Sequence, residues 1–136
     1  MKPITVTWEG GVRFTADVRG HKISVDQPVQ GGGADSAPMP LELLPTSLGT
    51  CVALFVQQFL ATRGLDPTGL EVQVGTSGAA NPHRIGRFKV SVVIPRGIPE
   101  HYRDAVVRVA ESCTVHHTLV NKPEIAVEVL ASALAA

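Results

Sequence analysis

Two cysteines carry the reactive potential of this 136-residue chain. Cys51 lies in the apolar run Leu48-Gly49-Thr50-Cys51-Val52-Ala53-Leu54-Phe55. Cys113 closes the amphipathic run Val106-Val107-Arg108-Val109-Ala110-Glu111-Ser112-Cys113. Both segments belong in a core, so the fold can bring the thiols together. Such a pair, with one thiol activated, is the minimum equipment for reducing a peroxide. The attacking species is the thiolate. A free cysteine has a pKa of about 8.5, which a nearby cation or a helix N-terminus lowers. The departing alkoxide needs a donor such as arginine. The oxidised cysteine, a sulfenic acid, is protected when a second thiol condenses with it to a disulfide. The chemistry therefore asks for an activated cysteine, a cation, a group that orients the cation, and a resolving cysteine. Cys51, an arginine, Glu42 and Cys113 could fill those places. A disulfide also requires the two Cα atoms to come within ~7 Å.

Two other readings of the cysteines stand beside this one. Free cysteine is among the most buried residue types and often acts as a small hydrophobe. Cys113, His116 and His117 also form a short cluster that Cys51 could complete as a four-ligand zinc site, although the spacing matches no usual structural zinc pattern.

Composition limits the remaining classes. Hydrophobic residues make up 44% and charged residues 18%, enough apolar material for one domain, residues 1–136, with a sizeable core. The formal net charge of zero gives no bulk attraction to nucleic acid or an anionic membrane. Aromatics at 4% are too few for a base-stacking platform. The N-terminus lacks the apolar core of a signal peptide. The longest apolar stretch, residues 48–60, is interrupted by Gln57 and Gln58 and is shorter than the ~20 residues of a membrane span. The chain thus reads as soluble and cytoplasmic, where paired thiols are more often catalytic, redox-sensing or metal-binding than a permanent bridge.

The elements that must position the cysteines follow from periodicity. Residues 3–8, 12–18 and 22–25 read as strands, with Val12, Phe14, Ala16 and Val18 alternating against polar neighbours. A loop, residues 26–38, contains Gly31-Gly32-Gly33 but lacks the Gly-Lys-Ser/Thr ending of a phosphate loop. Residues 39–63 form the main helix, with Leu44, Leu48, Cys51, Phe55 and Phe59 at helical spacing. Pro45 predicts either a kink or a helix that begins there, placing Cys51 about two turns from the start. Gly64 ends the helix, with Pro67 beyond. Residues 70–74 and 85–94 read as strands around a loop at 75–84, residues 99–113 as a second helix, 115–120 as a short helix, and 124–130 as a last strand.

At this point the residues carry a resemblance. The stretch Ser36-Ala37-Pro38-Met39-Pro40-Leu41-Glu42-Leu43-Leu44-Pro45-Thr46-Ser47-Leu48-Gly49-Thr50-Cys51 resembles the cysteine-helix signature of the OsmC/Ohr family of peroxide-reducing proteins. The Trp8-Glu9-Gly10-Gly11 hairpin, the Val25-Asp26-Gln27-Pro28 and triple-glycine segment, and Glu111-Ser112-Cys113-Thr114-Val115 are similar to it too. The resemblance implies an α+β fold with antiparallel sheets packed around two central helices, and an intertwined homodimer with active sites at the interface. It implies reduction of organic hydroperoxides, and of hydrogen peroxide as a further substrate, to alcohols. Cys51 would be the peroxidatic residue and Cys113 the resolving one, regenerated by a dithiol or small thiol without cofactor or metal. By the same resemblance Glu42 orients an arginine against the thiolate. Arg13, which follows the Gly10-Gly11 turn, is the candidate, with Arg19 as the alternative. Glu42 stands one residue closer to Cys51 than in the Ohr branch, so it would face about 100 degrees away on a helix. The arginine that OsmC-type members carry in the loop before the helix is absent from residues 26–38. That absence motivates an alternative, a non-enzymatic member that binds a small hydrophobic ligand in the dimer cleft. A third reading, an RNA-binding Gly-x-x-Gly loop at Gly75-Thr76-Ser77-Gly78, has no basic run around it.

Overall fold

The computed structural model describes residues 1–135. The chain runs through β1 (Thr5–Gly10), β2 (Arg13–Val18), β3 (His21–Val25), α1 (Pro40–Thr62), β4 (Glu71–Ala79), β5 (Arg84–Val93), α2 (Arg103–Glu111) and α3 (Thr114–Val120). Single 3-10 turns precede α1 and α2, at Val29–Gly31 and Glu100–Tyr102. The strands make two antiparallel sheets, β1-β2-β3 and β4-β5. This is the α+β architecture with antiparallel sheets that the resemblance implied.

Helix α1 organises the core. Leu48, Val52, Val56, Phe59 and Leu60 are buried along it and meet Val106 of α2 and Cys113. Val72, Val74, Phe88 and Val92 cover it from the β4-β5 sheet. Those strands pair Val72 with Val92 and Val74 with Val90, so one face of the hairpin is apolar by register. Gly49 lets the sheet come close, since a Cβ there would stand 3.0 Å from Val74. The C-terminus closes as Gly64 takes φ +65 and the Leu65 amide donates to the Leu60 carbonyl at 3.0 Å. By length and composition α1 could also cross a bilayer, which follows from the same apolar content that makes it the core helix.

Several sequence expectations are corrected. The helix begins at Pro40 and continues through Pro45, so it does not start there. Pro45 is tolerated near the N-terminal end, where only the Leu41 carbonyl loses a partner. Cys51 is therefore about three turns from the N-terminus rather than two. Strands β4 and β5 extend to Ala79 and Arg84, which places Gly75-Thr76-Ser77-Gly78 inside a strand and removes the loop that RNA-binding would need. The second helix ends at Glu111, and Cys113 stands beyond it as the N-cap of α3. Residues 124–130 form no strand: Ile125, Val127, Val129 and Leu130 are 83–88% exposed and pair with nothing in this chain. Their alternation is that of a strand, but β-structure requires a neighbour to accept its hydrogen bonds, and none of the chain's own edges is joined to it.

The β1-β2-β3 sheet stands apart. Its strands make their substantial contacts only with one another. Register puts Val6 opposite Ala16, Trp8 opposite Phe14, and Phe14 and Ala16 opposite Val25 and Ile23. One face is thus apolar, yet Val6 is 61% and Trp8 65% exposed.

Because Leu60 is fully buried at the C-terminal end of the α1 stripe, Leu60→Ala should destabilise the protein by about 2–5 kcal/mol. Chemical denaturation would measure it. A loss below 1 kcal/mol, on the order of one methylene, would contradict this placement of the core.

Candidate functional site

The structure brings the two cysteines together, while the two charged candidates are bonded to other groups. Cys51 projects from the border of the buried stripe on α1 and is half-buried, whereas Cys113 is fully buried. Both are free thiols, and Cys51 packs against the core cluster that contains Cys113. The Cys113 sulfur accepts a hydrogen bond from the His116 amide at 3.2 Å, which caps the first turn of α3. Burial pushes the Cys113 thiol above its ordinary value. The His116 amide pulls the other way, and the neighbouring Cys51 raises it further through its side chain and its charge. Cys113 is thus held as the neutral thiol, while Cys51 is the one that solvent reaches.

The helix macrodipole acts within the first turn, so it gives little to a residue three turns along. A positive charge beside Cys51 would have to come from a side chain. Among the described residues Glu42 forms no ion pair. Its carboxylate accepts the Met39 amide at 3.0 Å and closes the N-terminus of α1 as a capping box. Nine residues before Cys51, it projects about 180° round the helix from the thiol. Arg13 leaves the start of β2 and donates through Nη1 to the Ser36 hydroxyl. Among the described residues it makes no hydrogen bond or ion pair with Glu42. Arg19, the alternative, lies exposed in the β2-β3 turn at φ 57.

Sequence reasoning missed what holds Arg13. Asp26, 2% exposed, collects the Gln27 amide at 2.8 Å, the Ala34 amide at 3.2 Å, the Ser36 amide at 3.0 Å and the Ser36 hydroxyl at 2.6 Å. These bonds, the Ser36 hydroxyl first, hold its carboxyl far below the usual carboxylate range against the opposing effect of burial. The signal was present as Asp26-Gln27-Pro28 followed by the glycine run, but periodicity reports nothing about a loop that folds on a side chain.

No three His, Cys, Asp or Glu side chains group to hold a metal ion among the described residues. The His116 and His117 rings lie 6.1 Å apart and nearly perpendicular, so they do not converge on one ion with Cys113. An apolar cleft of about 570 Å³ opens between β5 and α2. Phe88, Val90, Val92, Val106 and Ala110 line it, with Arg103, Glu111 and His116 at its polar side. Its walls include Val52 and His116, near neighbours of the cysteines in sequence, but neither cysteine itself.

With this architecture in view, comparison with known proteins places the chain in a family. Residues 32–128 match the model for OsmC-like protein, and the chain belongs to that family. Solved structures share the fold. A candidate osmotic stress induced and detoxification response protein from Psychrobacter arcticus is 24% identical with a TM-score of 0.78, over 87% of this chain and 88% of that one. An OsmC-like protein from Mycoplasma pneumoniae is 19% identical with a TM-score of 0.73, over 88% and 87%. An organic hydroperoxide resistance protein from Legionella pneumophila is 19% identical with a TM-score of 0.59, over 88% and 90%. No curated protein matches the sequence.

Two outcomes follow from the environments described. Iodoacetamide should label Cys51 in the native protein well before Cys113, and peptide mapping would read the order; equal rates would contradict the burial difference. Asp26 has a lowered folded pKa, so its stabilisation is present above the ordinary carboxylate value of 3.8 and fades as the pH falls from there toward the folded value. Thermal unfolding between about pH 5 and about pH 2, a span that starts above the unfolded carboxylate value and runs toward the folded one, should show a steeper acid loss in the wild type than in Asp26→Asn.

Proposed function

We propose that this protein reduces organic hydroperoxides to alcohols with Cys51 as the reacting thiol. The observation that carries this reading is the adjacency of an accessible Cys51 and a buried, neutral Cys113. The Cys51 thiolate attacks the terminal peroxide oxygen, the O–O bond breaks, and the alkoxide leaves and takes a proton to become the alcohol. Cys51 is then a sulfenic acid. The Cys113 sulfur attacks it, water departs carrying the Cys113 proton, and a disulfide forms. An external dithiol or small thiol restores both thiols by exchange. Fold relatives whose names refer to hydroperoxide resistance, from Legionella pneumophila and Elizabethkingia anophelis, lend support.

The working unit in this reading is a homodimer. The uncovered apolar face of β1-β2-β3 and the exposed Ile125, Val127 and Val129 are surfaces that a second copy would cover. Arg13, whose guanidinium keeps donors free beside its bond to Ser36, then serves as the cation for a thiolate across that interface. Glu42 remains a candidate to steer it only if the partner approaches the N-terminus of α1. The thiols of such an enzyme remain cycling in a reducing cytoplasm.

The apolar cleft favours a second reading, in which the protein binds a small hydrophobic molecule without reacting with it. The two readings part on the thiols. With cumene hydroperoxide, the reduced wild type should lose both thiols and yield a Cys51–Cys113 linked peptide. Cys51→Ser should lose consumption by more than 100-fold, on the order of what a missing nucleophile costs. Cys113→Ser should turn over once and accumulate oxidised Cys51. Thiols that persist through peroxide treatment would favour the binding reading. Sedimentation should give a dimer, and Trp8→Asp should weaken it.

A further inference from the structure

Asp26 and Ser36 form a closed hydrogen-bonded unit in the loop before α1. Asp26 receives all its hydrogen bonds from its own loop, at Gln27, Ala34 and Ser36, and it makes no ion pair among the described residues. The Ser36 hydroxyl spends its single proton on Asp26. Its oxygen is then a fixed acceptor, and Arg13 Nη1 donates to it. Gly33 makes this closure possible. A Cβ there would stand 2.0 Å from the Gln27 carbonyl oxygen and 2.6 Å from Asp26 Oδ1. The Asp26 amide also donates to the Pro38 carbonyl at 3.2 Å, two residues before α1 begins. The clasp therefore ties Arg13 on β2 to the chain that enters the cysteine helix.

We infer that Asp26 and Ser36 are positioning residues that hold the Arg13 guanidinium in the pose in which it serves the Cys51 thiolate. This rests on the role proposed above for Arg13. A free arginine samples many rotamers, and freezing them at the moment of reaction costs free energy. Donors fixed in advance avoid that cost. The interposed hydroxyl is the important choice. A carboxylate bonded directly to arginine would take two of its donors in a fork. Ser36 takes one of the five N–H groups, leaving the others for a thiolate and a peroxide oxygen. The Asp26 charge meanwhile polarises the hydroxyl without touching the guanidinium.

The test compares Ser36→Ala, Ser36→Thr and Arg13→Ala in peroxide reduction and in the ultraviolet absorbance of the Cys51 thiolate against pH. Ser36→Ala should lower kcat/KM for cumene hydroperoxide roughly 10- to 100-fold, as misplacement of a reacting partner does. It should also move thiolate formation to higher pH. Ser36→Thr should restore both, a result that a purely structural role for the loop would not single out. Arg13→Ala should match Ser36→Ala, with little further loss in the double variant. Ser36→Gly removes the hydroxyl by another route and should agree with Ala. A slow Arg13→Ala beside wild-type rates and thiolate profiles in Ser36→Ala and Ser36→Gly would overturn the inference alone. A wild-type Arg13→Ala would instead overturn the assignment of Arg13, and the inference with it.

Discussion

Burial of one stripe of α1 is the constraint on which the rest of the protein turns. Leu48, Val52, Val56, Phe59 and Leu60 need an apolar cover, and the β4-β5 hairpin and α2 supply it. The placement of the two thiols is a by-product of that packing. Cys51 sits where the stripe meets solvent, and Cys113 is sealed against it at the turn between α2 and α3. Close-packed interiors hold their members to well-defined positions. Two thiols distant in sequence can therefore be kept adjacent without a covalent link, one accessible and one withheld from water.

The two halves of the chain differ in how they meet their own needs. From α1 onward the main apolar stripe finds its cover within the chain, in β4-β5 and α2. The β1-β2-β3 sheet has a complete apolar face and no cover. Its attachment to the rest runs through the loop folded on Asp26, where a carboxylate rather than hydrophobic area does the holding. The polar clasp and the apolar core are thus separate devices. One fixes the direction in which the chain enters α1, and the other fixes where α1 lies.

Legibility in the sequence followed the same division. The strands β1 to β3, the span of α1 and the short helix α3 were readable because periodicity and turn residues report which face a segment buries. The thiol pair was readable because each cysteine lay on a face destined for the core. Strand lengths in β4 and β5 were not, since Gly75 and Gly78 look like loop residues and only cross-strand pairing makes them strand. Residues 124–130 had the right alternation but no neighbour in the chain, and alternation cannot announce a missing partner. Glu42 was read through resemblance as a steering group, and that reading did not announce the bond it makes as the cap of its own helix. Asp26 and Ser36 escaped because hydrogen bonds ten residues apart in an irregular loop leave no period to detect.

One sulfur atom has two duties. The Cys113 thiol is also the acceptor that satisfies the His116 amide at the head of α3, a donor that no carbonyl within the helix can reach. A reaction that draws this sulfur into a bond with Cys51 changes its capacity as an acceptor at the same moment. If that bond formed, the first turn of α3 would lose part of its cap, and the oxidation state of one side chain would be felt as order in the helix it begins.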